Sequence, residues 1–251
     1  MWQSSCSSTD AGMDISTPGI VLRTTRYSDT SLIVKIYTEA QGTQSFIVKN
    51  AFSKKNRTKA SLFSPLAIVH ITYRDHDDSR LKHIKDIIRK DSPACAGFSP
   101  VRNAIVLFCN EVLYKLLFDT GPDAQLYGFL ETEIKQINGT EHFQSDFPAR
   151  FLLRLSSMLG FCPENNCDET TCHFSLTESR FVKYSLNSQN ELPVTESRYL
   201  SHLLNQENTE YADRTIRNSL LRSLIEYFKI HNGQIHEIES AEILAAVLHQ
   251  D

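Results

Sequence analysis

The 251-residue chain reads as an α+β protein of more than one domain, a small five-stranded β-barrel followed by an α-helical domain. Three observations predict this. Five short apolar runs with period-2 alternation, separated by turn residues, occupy residues 19–90. After Pro100 the apolar spacing becomes helical. Charge divides at nearly the same place: residues 1–90 hold 14 Lys and Arg against 8 Asp and Glu, a net of +6, and residues 91–251 hold 12 against 22, a net of -10. The overall net charge of -4 hides that asymmetry. A barrel is expected rather than an open meander because closure removes exposed strand edges.

The elements follow in order. Residues 1–14 are Ser-rich at their start, with neither a basic beginning nor an apolar stretch, so they read as a flexible extension and not as a secretory signal. Met13 stands just before the first structured segment and is a second candidate start beside Met1. Ile20-Val21-Leu22 opens the first strand. Ser31–Tyr37 alternates, with Leu32, Val34 and Ile36 on one face and Ile33, Lys35 and Tyr37 on the other. Thr43–Val48 follows a Gln41-Gly42 turn, Leu66–Tyr73 is the fourth run and Leu81–Ile87 the fifth. Val101–Phe118 carries apolar residues at 104, 105, 107, 108, 112, 113, 116 and 117, a helical face that Gly121-Pro122 ends. Asp123 caps a second helix reaching Ile137, and a third runs from Pro148 to Leu159 before Gly160. Residues 162–195 are polar and irregular, with a short extended piece at Arg180–Leu186. Helices over Asp213–Ile230 and Glu239–His249 close the chain. The expected domains are thus an extension at 1–14, a barrel at 15–92 and a helical domain at 93–251.

Composition excludes several classes. Apolar residues make up 41% and charged residues 22%, ordinary for a soluble globular protein, and no run approaches the ~18 apolar residues of a membrane helix. Six cysteines at 6, 95, 109, 162, 167 and 172 do not make a disulfide framework, which points to a reducing cytoplasm. Cys109, inside an apolar helical face, is expected to be a packed thiol. Phosphate-loop, dinucleotide, nucleophile-elbow and zinc-protease motifs are all missing, so no enzyme chemistry and no cofactor is expected. Asp75, Asp77 and Asp78 suggest a divalent-metal loop, but without the downstream Gly and Glu of a calcium loop they read first as a solvated hairpin turn.

The strongest chemical signal is cationic. Lys49, Lys54, Lys55, Arg57 and Lys59 place five cations in eleven residues between the third and fourth strands, flanked by Phe52 and Phe63. Such a loop can follow a phosphate chain while aromatic faces stack on bases. It can equally be a solvated loop, and each phenylalanine alone is better explained as barrel packing. Cys162, Cys167, Cys172 and His173 offer four zinc donors in twelve residues. Structural zinc sites use two separated tight pairs, and adjacent Cys172 and His173 would have difficulty sharing one ion, so a polar loop with reduced thiols and no metal is expected.

These segments, taken in order, resemble the RecO family. The opening Gly19-Ile20-Val21-Leu22 followed by Tyr27-Ser28-Asp29 is similar to its G-I-V-L strand and Y-x-[DE] turn. Thr38-Glu39-Ala40-Gln41-Gly42 resembles its T-E-x-x-G turn, residues 49–59 its basic loop and Leu62-Phe63-Ser64-Pro65-Leu66 its L-x-P-[LF] stretch. Arg150–Phe161 is similar to the helix ending in L-G-[FY], and Tyr227–His231 with Ser240–Leu244 to the closing Y-x-x-x-H and S-x-x-x-L helices. The likeness spans 18 to about 248. The departure is at 162–181, where relatives carry two C-x2-C pairs and this chain does not, so the family's zinc module is degenerate here over 162–195.

The resemblance implies an oligonucleotide-binding (OB-fold) barrel and a non-enzymatic role in DNA repair and recombination. It implies binding of single- and double-stranded DNA, strand annealing, and help in loading recombinase onto DNA covered by single-strand-binding protein (SSB). RecR and the acidic C-terminal tail of SSB are the implied partners, and a cytoplasmic, nucleoid-associated location follows. Expected phosphate contacts are Arg23, Lys35, Lys49, Lys54, Lys55, Arg57, Lys59 and Lys82. For the SSB tail, Arg150 and Arg154 beside Leu152, Leu153 and Leu155 put cations next to apolar surface, although an amphipathic core helix explains the same residues. The alternatives are a scaffold whose barrel binds protein, and a metal-dependent nuclease using the three aspartates.

Overall fold

The computed structural model describes residues 13–49, 51, 62–75, 81–90, 99–140, 143–183, 190–207 and 213–248. Five strands form a closed barrel: β1 (Asp14–Arg26), β2 (Leu32–Thr38), β3 (Gly42–Val48), β4 (Ile68–Arg74) and β5 (Lys82–Arg89). Their order around the barrel is β1-β2-β3-β5-β4, with every pairing antiparallel except β3–β5. This is the expected OB-type barrel.

β1 begins five residues before Gly19, the expected start. The extra length lets it close the barrel, pairing with β4 over Asp14–Ile20 and with β2 over Gly19–Arg26. Between these regions Leu22 is skipped in the β2 register, a bulge at which Val21 exchanges bonds with Leu66 and Ala67. Val21, Val34, Ile36, Phe46, Val69, Ile71 and Tyr73 fill the interior, together with Phe63. Phe63 is therefore a core residue, the alternative its sequence context favoured. Phe52 lies outside the described residues.

Gly42 turns β2 into β3 at a positive φ of 67°, and a Cβ there would stand 2.2 Å from the Thr120 carbonyl oxygen. Both conditions select glycine. The close approach arises because Leu117–Asn138 belongs with the barrel in one compact unit. Helix α2 (Ala124–Gly139) is capped by the Asp123 carboxylate, which accepts from Gln125 N and Leu126 N at 2.9 Å each.

The second unit comprises α1 (Pro100–Leu116), α3 (Phe147–Met158), a two-stranded ribbon of β6 (His173–Ser175) and β7 (Arg180–Val182), α4 (Val194–Leu204), α5 (Arg214–Asn232) and α6 (Ser240–Val247). Cys109 is fully buried in α1, as its position on an apolar face predicts. Asp213 caps α5 by accepting from Thr215 N, and Gly233 ends it in the left-handed region. Tyr227 and His231, one turn apart on α5, join three segments: the Tyr227 hydroxyl donates to the Phe161 carbonyl, and His231 Nε2 lies 2.7 Å from Leu176 O.

Candidate nucleic-acid interface

Strand register decides which barrel side chains face outward. Val34 and Phe46 point into the core, so their neighbours Ile33 and Ile47 point out. Thr25, Ile33, Ile47 and His83 stand in register across β1, β2, β3 and β5. Arg23, Lys35 and Ser45 form the next outer row. Beyond the opposite end of this surface lies the β1–β2 turn, held by Tyr27 N–H and Ser28 N–H on the Ser31 carbonyl. Tyr27 is 63% exposed there, and the exposed Lys49 follows β3 at the same end, since Val48 pairs with Leu32. Arg26 bonds the Ser28 carbonyl and the Asp29 carboxylate at 3.3 Å each. Tyr27 stands in the turn motif, but nothing in its sequence context distinguishes an exposed ring from a packed one.

The expected phosphate contacts have different fates. Arg23 and Lys49 are exposed. Lys35 donates to the Phe118 carbonyl at 2.9 Å and sits 3.3 Å above the Phe118 ring. Burial pushes its ammonium pKa down, Asp119 opposes that shift, and Arg23, its cross-strand partner, adds to it. Lys82 pairs with core-facing Phe46, which turns its side chain toward the barrel end. There it meets Asp75 at 2.7 Å and Gln41 Oε1 at 2.6 Å. Gln41 donates to Asp75 and accepts from the Tyr73 hydroxyl, each at 2.7 Å. Burial, with the Asp75 charge, pushes the Tyr73 phenol up to about 12. Asp75 is therefore engaged by Lys82 and Gln41, and Asp77 and Asp78 lie outside the described residues. So do Lys54, Lys55, Arg57 and Lys59.

Arg150 and Arg154 line one groove of about 500 Å³ with Leu153, Leu203, Leu204 and Glu207. Arg150 bonds Asp146 at 2.9 Å and the Glu207 carbonyl at 2.6 Å, while Arg154 lies 5.9 Å from the Phe147 ring centroid. Leu152 and Leu155, expected beside these arginines, are buried and do not line this groove.

The cysteine segment does not fit a zinc centre. Cys167 and Cys172 bring their sulfurs to 3.1 Å, closer than the ~3.8 Å that two ~2.3 Å bonds at a tetrahedral angle impose. His173 Nδ1 is bonded to the Leu192 carbonyl, and Cys162 Sγ faces the Pro163 carbonyl. Among the described residues no three His, Cys, Asp or Glu gather closely enough to hold a metal, and no helix is long and apolar enough to cross a membrane.

Residues 13–91 match the family model "Recombination protein O N terminal", and residues 97–237 match "Recombination protein O C terminal". A DNA repair protein RecO of Phocaeicola vulgatus is 30% identical, the match covering 91% of this chain and 96% of that protein. Its namesake in Flavobacterium psychrophilum is 28% identical over 94% and 99%. That of Porphyromonas gingivalis is 26% identical over 94% and 99%. With two family models matched in order and a relative this similar over nearly its whole length, the chain belongs to the RecO family of DNA repair and recombination proteins.

Proposed function

We propose that the protein is a recombination mediator without catalytic chemistry. It binds single- and double-stranded DNA on the outer barrel face, anneals complementary strands and helps load recombinase onto DNA coated by SSB. The supporting observation is the meeting of two features at one end of the barrel: the β1–β2 turn with exposed Tyr27, and the exposed Lys49, which opens the basic segment 49–59. Cations there neutralise phosphates without reading sequence, and Tyr27 offers a face for base stacking. Arg23, Lys49, Lys54, Lys55, Arg57 and Lys59 are assigned to phosphate contact, and Lys35 and Lys82 to positioning within the barrel. RecR and the C-terminal tail of SSB are the proposed partners, in the cytoplasm at the nucleoid. The groove beside Arg150 and Arg154 suits the tail's chemistry, apolar leucines next to cations.

Replacing Lys54, Lys55 and Arg57 by Ala should weaken binding to every DNA sequence alike. It should also flatten the plot of log affinity against log salt by ~0.9 for each duplex phosphate that is no longer neutralised. An unchanged slope in a fluorescence titration would remove this assignment. For the groove, Arg154→Ala alone and with Arg150→Ala should weaken binding of an acidic tail peptide. The single variant keeps the Arg150–Asp146 pair and so separates peptide contact from helix stability. Equal affinity in all three proteins would place the tail elsewhere.

A further inference from the structure

The same thiols that fail as a zinc centre are arranged for another chemistry. Cys167 and Cys172 flank the turn Asp168-Glu169-Thr170-Thr171. The Asp168 carboxylate accepts from Thr170 N and Thr171 N at 2.7 Å each and from the Thr170 hydroxyl at 2.9 Å. Its own N–H donates to the Thr171 carbonyl at 3.2 Å. These bonds reverse the chain and bring the flanking sulfurs to 3.1 Å, inside ordinary sulfur–sulfur contact and short of a bond. Cys172 is 8% exposed beside β6, whereas Cys167 is more open, next to Ser201 and Arg198 of α4. Burial, reinforced by Cys172, pushes the Cys167 thiol up to about 11, so only a small fraction is the thiolate that attacks a peroxide, and oxidation near pH 7 is slow and quickens as pH rises.

We infer that Cys167 and Cys172 form a reversible dithiol–disulfide site whose oxidant is hydrogen peroxide. The more open Cys167 reacts first: its sulfur takes one peroxide oxygen to become a sulfenic acid and one water leaves. Cys172 then attacks that sulfur, the S–O bond breaks, the S–S bond forms and a second water leaves. Two S–H bonds are broken, one S–S bond is made, and two electrons pass to peroxide. A small-molecule dithiol reverses the change by thiol–disulfide exchange. The bridge would pin the segment whose Asn165 side chain bonds Ser201 and Asn205 and whose Cys162 lines the Arg150–Arg154 groove.

The test treats the full-length protein with hydrogen peroxide, alkylates the remaining thiols under denaturing conditions and digests with trypsin. Residues 155–180 emerge as one fragment carrying Cys162, Cys167 and Cys172. The expected fragment is two hydrogens lighter and carries one alkyl group, on Cys162, and dithiothreitol before alkylation restores three. In the Cys167→Ser variant, with unchanged circular dichroism, peroxide should leave Cys162 and Cys172 both alkylated. Three alkyl groups after peroxide, a bridge involving Cys162, or stoichiometric zinc in the purified protein would each overturn the inference.

Discussion

The Lys82 ammonium is enclosed by the Asp75 carboxylate, the Gln41 amide oxygen and the Tyr73 ring, and its side chain is only 11% exposed. Removing it leaves Asp75 and Gln41 half-buried with a missing partner, which costs more than an exposed ion pair returns. Lys82→Met should therefore lower barrel stability by about 2 kcal/mol, read as a shift in the urea midpoint, while the salt slope of DNA binding stays the same. A reduced slope with an unchanged midpoint would return Lys82 to the phosphate contacts. The residue shows why the candidate site was only partly legible. Its sign of charge was readable, and so was its place at the start of a strand. Its direction depends on the parallel pairing of Phe46 with Lys82, a contact between distant segments that no local pattern encodes. Lys35 is the same case, since its partner Phe118 lies 83 positions away. The exposure of Tyr27 likewise depends on what the rest of the chain leaves uncovered.

At the scale of elements, α6 shows one helix capped by another. Its own N-cap residue, Glu239, makes no side-chain cap. Glu111, from the middle of α1, instead accepts from Glu239 N at 3.1 Å and Ser240 N at 2.8 Å, and it pairs with Lys115 at 2.8 Å. The negative carboxylate also faces the positive end of the α6 dipole. Burial pushes the Glu111 carboxyl up, but the bonds from Lys115, Ser240 and Glu239 outweigh it and hold the group below its ordinary range. A carboxyl lowered by folding binds its proton less readily in the folded chain. Its stabilisation is therefore complete above the unfolded pKa of ~4.3 and disappears as pH falls through the folded value. Glu111→Gln should cost about 1 kcal/mol at pH 7. The gap from the parent should narrow as pH falls below ~4, as urea midpoints across pH would show. A gap independent of pH would mean that the charge is not what caps α6. Strands β1 to β5 and the helices other than α4 were legible, because alternation and helical spacing are local. Residues 162–195 read as irregular from their composition, which misses both β6 and the start of α4. Three-residue strands are too short to show a period, and the buried residues of α4 are Ser197, Tyr199, Leu200 and Leu203, a face half polar in composition.

At the scale of the whole molecule, the segment completing the barrel unit comes from beyond α1. Leu117–Asn138 covers one end of the β2–β3 face. Thr43 N donates to the Thr120 carbonyl at 2.8 Å, the Thr43 hydroxyl to the Leu117 carbonyl, and Lys35 to the Phe118 carbonyl at 2.9 Å. Tyr37, fully buried, lies 6.2 Å from the Tyr127 ring and donates to the Asp123 carbonyl. A fragment ending at residue 90 keeps all five strands but uncovers Tyr37 and these backbone partners. A buried aromatic side chain contributes roughly 2–3 kcal/mol, and each broken hydrogen bond costs about 1 kcal/mol. Together these approach the 5–15 kcal/mol by which an ordinary domain is stable. Residues 13–90 alone should thus melt well below the intact protein and give a poorly dispersed amide spectrum. DNA binding is consequently best measured on the full chain, where a fall in affinity in a barrel variant reports on contacts and not on unfolding. A well-dispersed 13–90 fragment melting at the temperature of the whole protein would show that Leu117–Asn138 only rests on a barrel that is already complete.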